Sequence, residues 1–220
     1  MRKIWALSLC LAILLVAAIP AMATTVTLTS DYGSLPQYAG VYVGPIGATL
    51  DGNTTAISGG IACMDIASTS YFGSTIGVNI STLQPLNMTN ARQGSDASAI
   101  FKYEEAAWLL GQIPTHSTQV GEIQFAIWRL FNQAYVDAHY ASAGRDIAAE
   151  NTWLAQAAAI NPDNYDFSSV RIYTPTAAYA SNQEFMSGGA GQVPLPSSVL
   201  LLGSGLVGLG LLRRKRNLKN

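Results

Sequence analysis

Two apolar runs, each beside a cluster of positive charge, frame this 220-residue chain and confine any water-soluble fold to the residues between them. The first runs from Ile4 to Ile19 behind Arg2 and Lys3. The second runs from Val199 to Leu212 ahead of Arg213, Arg214, Lys215 and Arg216. All 13 acidic residues lie between Asp31 and Glu184, where only five of the 12 basic residues accompany them. The net charge of −1 therefore hides an acidic middle between cationic ends. Such a middle has no basic face with which to neutralise phosphates, which excludes nucleic acid as a partner. With 49% apolar and 11% charged residues, the chain is also too hydrophobic for disorder.

The ends read as address labels. Charge, an apolar stretch and then Ala21-Met22-Ala23 follow the order of a secretory signal peptide, so residues 1–23 are expected to be removed and Thr24 to begin the mature chain. A retained membrane anchor is the alternative. At the other end Val193, Pro194, Leu195 and Pro196 precede the second apolar run. A helix from Pro194 to Leu212 would rise about 28 Å at ~1.5 Å per residue, close to a ~30 Å hydrocarbon core. The basic stop Arg213, Arg214, Lys215 and Arg216 would hold its end in the cytoplasm. Gly203, Gly205 and Gly208 spell G-x-G-x-x-G there, but no strand precedes them, so no dinucleotide site is expected. This three-part tail, residues 193–220, resembles the PEP-CTERM sorting signal of Gram-negative bacteria, with Leu195 in place of the usual glutamate. The resemblance implies an exosortase-type processing enzyme as partner, an inner-membrane-inserted precursor, cleavage near Pro196, and delivery to the cell surface or extracellular matrix. The alternative is a plain single-span anchor.

Residues 24–190 fit one exported domain, because no Pro/Ser linker or charge run divides them. Thr24–Ser30, Tyr38–Gly44, Gly59–Ala67 and Ser74–Ser81 read as short strands parted by Gly, Asn and Asp turns. The period then changes. Residues 101–112, 119–142 and 146–160 read as helices, the second with an apolar stripe of Ile123, Ile127, Leu130, Phe131 and Ala134. Val170–Pro175 and Ala178–Met186 read as returning strands. The expected class is α+β, a short-stranded β part with an inserted helical part.

Cys10 leaves with the signal peptide, so the mature chain keeps one cysteine, Cys63, in an oxidising setting where it has no internal disulfide partner. Such a thiol is either buried and inert or put to chemical use. Gln124, in the helical block Ile123–Trp128, lies on one line with Trp128 and Phe131 at i, i+4 and i+7, and a buried glutamine must find partners.

The block I-Q-x-A-I-W (Ile123–Trp128), the preceding helix Tyr103–Leu110 and the C-x-D of Cys63 and Asp65 together resemble bacterial thioester domains. Those surface domains join a cysteine thiol to a glutamine side-chain carbonyl with loss of ammonia. The resemblance implies Cys63 and Gln124 as the bonded pair, with Trp128, Phe125 and Tyr71 shielding it from water. It also implies a covalent target bearing amine or hydroxyl groups. The other reading is a noncatalytic biofilm or matrix protein of the same fold whose acidic surface meets extracellular polysaccharide.

No other chemistry is well supplied. His116 and His139 with a single thiol make no zinc site of the usual kind, and no metal or cofactor is expected. His139, near a helix end, reads as a partner of the helix dipole. Glu104 and Glu105 are adjacent, point to different sides of their helix, and read as a solvated face rather than a glycosidase pair. The chain is read as a binding protein and not an enzyme.

Overall fold

The computed structural model describes residues 24–30, 33–141 and 144–192. The signal-peptide stretch, the sorting motif Val193–Pro196, the apolar run and the basic stop lie outside the described residues. Among those described, no helix is long and apolar enough to cross a membrane.

The domain is α+β, with a curled antiparallel sheet and three helices. The sheet contains β1 (Thr24–Leu28), β4 (Ala48–Leu50), β5 (Ala62–Cys63), β6 (Thr75–Ser81), β8 (Arg171–Pro175) and β9 (Phe185–Ser187), in the order β4-β1-β6-β8-β9-β5. Its two edges meet. Ile46, just before β4, and Ile61, just before β5, exchange both backbone hydrogen bonds, at 2.7 and 2.8 Å. Gly60 makes that closure possible: its φ is +74° and a Cβ there would lie 2.7 Å from the Ile46 oxygen. Two short ribbons flank the sheet, β2 (Gln37–Tyr38) with β3 (Val41–Tyr42), and β7 (Tyr165–Asp166) with β10 (Gly191–Gln192).

Strand alternation sorts side chains to the two faces. Val26, Leu28, Ile76, Val78, Cys63, Tyr173 and Phe185 fill the inside of the curl, whereas Ala62, Met64, Ile172 and Met186 face the helices. Those helices are α1 (Ala97–Gln112), α2 (Val120–Tyr140) and α3 (Ile147–Ala158). Asp96 starts α1 by accepting from the Ser98 and Ala99 amides at 2.9 and 3.0 Å, and Asp146 caps α3 in the same way. Helix α2 is central: Ile123, Ala126 and Ile127 enter the helical core, while Phe125 and Trp128 enter the interior of the sheet.

Five details depart from the sequence reading. Tyr38–Gly44 is a hairpin, not one strand, because Ala39 and Gly40 turn the chain with φ of 53° and 80°. Within Gly59–Ala67 only Ala62–Cys63 is strand. Ala178–Met186 is mostly not strand, since 3-10 helix occupies Ala177–Tyr179 and β9 begins at Phe185. Ala134 leaves the apolar stripe and is exposed, because α2 kinks at Asn132 (φ −149°, ψ 64°), and Val136 is buried instead. The Asn132 side chain accepts from the Tyr135 amide at 3.2 Å, as an N-cap does, and so restarts the helix. Finally, Glu105 is buried rather than solvated, and burial pushes its carboxyl up.

Around the kink, a charge cluster joins α2 to α3, with the Arg129, Arg145 and Glu150 side chains buried and Asp137 at the surface. Arg145 pairs with Glu150 and Asp137, and Arg129 reaches Glu150 at 3.5 Å and Asp137 at 3.4 Å. At the start of α2, Gly121 packs directly on the Tyr38 ring, and a Cβ there would fall 2.2 Å from Tyr38 Cγ. Gly121→Ala should therefore lower the unfolding free energy by about 1–3 kcal/mol through overpacking, measured by denaturant titration. Unchanged stability would mean that the hairpin does not pack on α2.

Candidate functional site

Cys63 is the last residue of β5, paired with Phe185 of β9, and is 5% exposed. Its side chain points into the sheet interior with Tyr173, Phe185, Phe125 and Trp128. The chain leaves Cys63 through a tight loop. The thiol donates to the Asp65 carbonyl oxygen at 3.3 Å. The Asp65 carboxylate accepts from the Ala67 amide at 3.0 Å and the Ser68 hydroxyl at 2.6 Å, and pairs with Arg92. Arg92 in turn donates to the carbonyls of Ala180 and Asn182 at 3.2 and 2.8 Å. The C-x-D spacing thus places a carboxylate that pins the loop after the cysteine. Below it, the buried Glu184 carboxylate accepts from the Arg92 amide, the Tyr103 hydroxyl and the Thr174 hydroxyl, and burial pushes its carboxyl up.

Helix α2 brings the glutamine to this strand end. The Gln124 side-chain amide donates to the Cys63 backbone oxygen at 2.8 Å, and the Trp128 indole donates to the same oxygen at 3.0 Å. The one-turn spacing of Gln124 and Trp128 puts both donors on one side of the helix. Gln124 is 1% exposed and its Oε1 has no hydrogen-bond partner among the described residues. An amide oxygen buried without a donor carries a desolvation cost of about 1–3 kcal/mol and is uncommon in a native core. The site therefore holds a carboxamide whose nitrogen is fixed and whose oxygen is unpaired, against the backbone of a buried cysteine.

Burial is also the main influence on the thiol, pushing Cys63 from 9.0 up to about 12 against smaller opposing effects, including its bond to Asp65. Phe125 is fully buried, with its ring edge-on to Trp128 at 4.9 Å, Tyr140 at 5.6 Å and Tyr38 at 5.4 Å. The Arg145 guanidinium lies 4.9 Å from its centroid. Trp128 and Phe125 thus form an aromatic wall beside the pair. Tyr71 does not join it: its side chain is 65% exposed on a turn, and the neighbouring Phe72 packs toward the site instead.

Cys63 and Trp128 line a cavity of about 290 Å³; Gln124 is not among its lining residues and adjoins it through Cys63, whose backbone oxygen its side chain contacts. Phe72, Tyr140 and the hydroxyl-bearing run Ser68, Thr69 and Ser70 form more of its wall. These residues were missed in the sequence reading. Ser68–Ser70 lie just beyond the C-x-D, and strand parity gave no means of choosing Phe72 over Tyr71. His116 and His139 are elsewhere, each with Nδ1 against the carbonyl four residues earlier, Gln112 and Tyr135 respectively. Among the described residues, no group of three or more His, Cys, Asp and Glu side chains is placed to hold a metal ion.

The sequence model for the PEP-CTERM protein-sorting motif matches residues 192–216. The chain therefore carries the signal for export, exosortase processing and surface sorting in bacteria. No curated protein and no solved structure matches the chain. Neither comparison supports the resemblance to thioester domains.

In a Gln124→Ala variant, whose thiol has no carboxamide to attack, alkylation of Cys63 by iodoacetamide at pH 8 should be about a thousandfold slower in the folded protein than in denaturant, matching the shift from 9.0 to about 12. The sign for stability follows. The folded thiol holds its proton more tightly than the unfolded one, so its contribution is full below pH about 9 and is lost as pH rises toward 12. In the same background, replacing Cys63 by alanine should flatten that loss in denaturant titrations above pH 9.

Proposed function

We propose that the domain is a single-use covalent binder at the surface or matrix of a Gram-negative bacterium, armed by a thioester between Cys63 Sγ and Gln124 Cδ. The observation that carries this reading is the Gln124 carboxamide held at 2.8 Å from the Cys63 backbone oxygen, buried, with its Oε1 unpaired. Amides are poor electrophiles, so only enforced proximity lets a thiol displace one. Sulfur bonds to the Gln124 carbonyl carbon, the C–N bond breaks, and the thiol proton leaves with the nitrogen as ammonia. The Gln124 amide donor is lost in that step, yet the Cys63 oxygen keeps the Trp128 indole as its donor, so no backbone acceptor is orphaned by the reaction. The product stores an activated acyl group, and the wall of Trp128 and Phe125 keeps water, its competing nucleophile, from one side. A target amine or hydroxyl then takes the acyl group and the thiol returns. Each molecule acts once, so this is attachment and not turnover.

A second reading is favoured by a different observation. With its thiol raised to about 12, Cys63 is also what an inert core cysteine looks like, and Gln124 and Trp128 would then only tie α2 to β5 in a noncatalytic matrix protein. Intact mass separates the two. The covalent reading predicts freshly purified mature protein about 17 Da lighter than its sequence, with Cys63→Ala and Gln124→Ala variants at full mass. Full mass and an alkylatable Cys63 in denatured wild-type protein would leave the noncatalytic reading.

A further inference from the structure

The cavity that ends on Cys63 has a chemical character of its own. Among the described residues its lining contains no Asp, Glu, Lys, Arg or His. The nearest carboxylate in the loop, Asp65, is already paired with Arg92. Phe72, Trp128 and Tyr140 share the lining with Ser68, Thr69, Ser70 and Gln183, so aromatic residues and neutral polar residues border one space of about 290 Å³. A lysine ammonium entering it would shed water and meet no anion among the described residues, which strongly disfavours that entry. A neutral ring with apolar C–H faces and hydroxyl edges meets both kinds of lining group. A serine or threonine of a protein target would have to bring its main chain along, with amides that the mainly apolar wall cannot pair.

We propose that this cavity seats a neutral sugar ring and that a sugar hydroxyl, rather than a lysine amine, is the group that opens the bond between Cys63 and Gln124. The inference rests on the thioester reading above. The step balances without a further reactant: Gln124 does not line the cavity, but in the thioester its carbonyl carbon is bonded to the sulfur of Cys63, which does, so the hydroxyl oxygen bonds to that carbon at the Cys63 end, the C–S bond breaks, and the hydroxyl proton ends on the Cys63 sulfur. The products are a sugar ester on the residue 124 side chain and a free thiol. The buried sulfur is suited to receive that proton, since its environment holds the thiol protonated well beyond neutral pH.

The test uses the mature exported protein at pH 7.5 with cellobiose as the neutral probe and Nα-acetyl-lysine amide as the cationic one, followed by intact mass. The expected result is a starting mass showing ammonia loss, then a gain of one cellobiose at a rate that saturates with its concentration. The lysine adduct should form about tenfold more slowly or less at equal concentration. Thr69→Asp, which puts a carboxylate into the exposed mouth of the cavity, should shift the preference toward the lysine probe, and Phe72→Ala should slow the cellobiose reaction alone. Ammonia loss with a dominant lysine adduct, or with a preference that Thr69→Asp does not move, would overturn the sugar assignment and leave the thioester standing. A starting mass without ammonia loss would overturn both.

Discussion

One backbone oxygen fixes the arrangement of the candidate site. The Cys63 carbonyl lies at the end of a two-residue edge strand, where the ladder runs out, and it takes its donors from a helix instead: Gln124 at 2.8 Å and Trp128 at 3.0 Å. Both lone pairs of the oxygen are used, and two polar groups that would be costly to bury singly are buried together. That junction fixes the rotation of α2. With Gln124 and Trp128 facing β5, Phe125 must enter the interior of the sheet, and Ile123 and Ile127 must face α1 and α3. The helix serves two cores because one strand end sets its phase.

Electrostatics support the same arrangement from a distance. Of the five basic residues in the domain, Arg92, Arg129 and Arg145 are paired internally with Asp65, Glu150 and Asp137. Arg92 locks the loop after Cys63 to the segment before β9, and Arg145 covers the Phe125 ring from the α3 side. Using cations inside leaves an acidic exterior, the charge pattern already present between the cationic ends of the sequence. The pairs on Glu150 are buried on both sides, and such pairs add little net stability over apolar residues of equal volume, but removing one partner strands the other. Their contribution here is positional.

Much of this was legible in the sequence wherever a period or a single residue type decides the outcome. The strands at Thr24–Leu28 and Thr75–Ser81 and the three helices follow from spacing, and the solitary cysteine with the I-Q-x-A-I-W block singled out two residues that the fold places in contact. Local conformations hid the rest. Ala39 at positive φ turns a strand-like run into a hairpin, and Asn132 interrupts a helix whose side-chain pattern alone looks continuous. The strand Ala48–Leu50 sits in a glycine-rich stretch that gives almost no periodic signal. Glu105 is buried although it is charged, and Tyr71 is exposed although it is aromatic, because neighbours distant in sequence decide both.

The matched sorting motif begins on Gln192, the last residue of β10, so the folded domain runs directly into the signal that delivers it. The proposed reactive bond would travel that route with its acyl group still stored. The most direct measurement is a crystal structure of the freshly purified mature protein at a resolution that separates bonded from touching atoms. With the thioester formed, the map shows continuous density from Cys63 Sγ to the Gln124 side-chain carbon and no side-chain nitrogen, with the Trp128 indole still on the Cys63 oxygen. A complete carboxamide beside a separate thiol in such a map would contradict that bond.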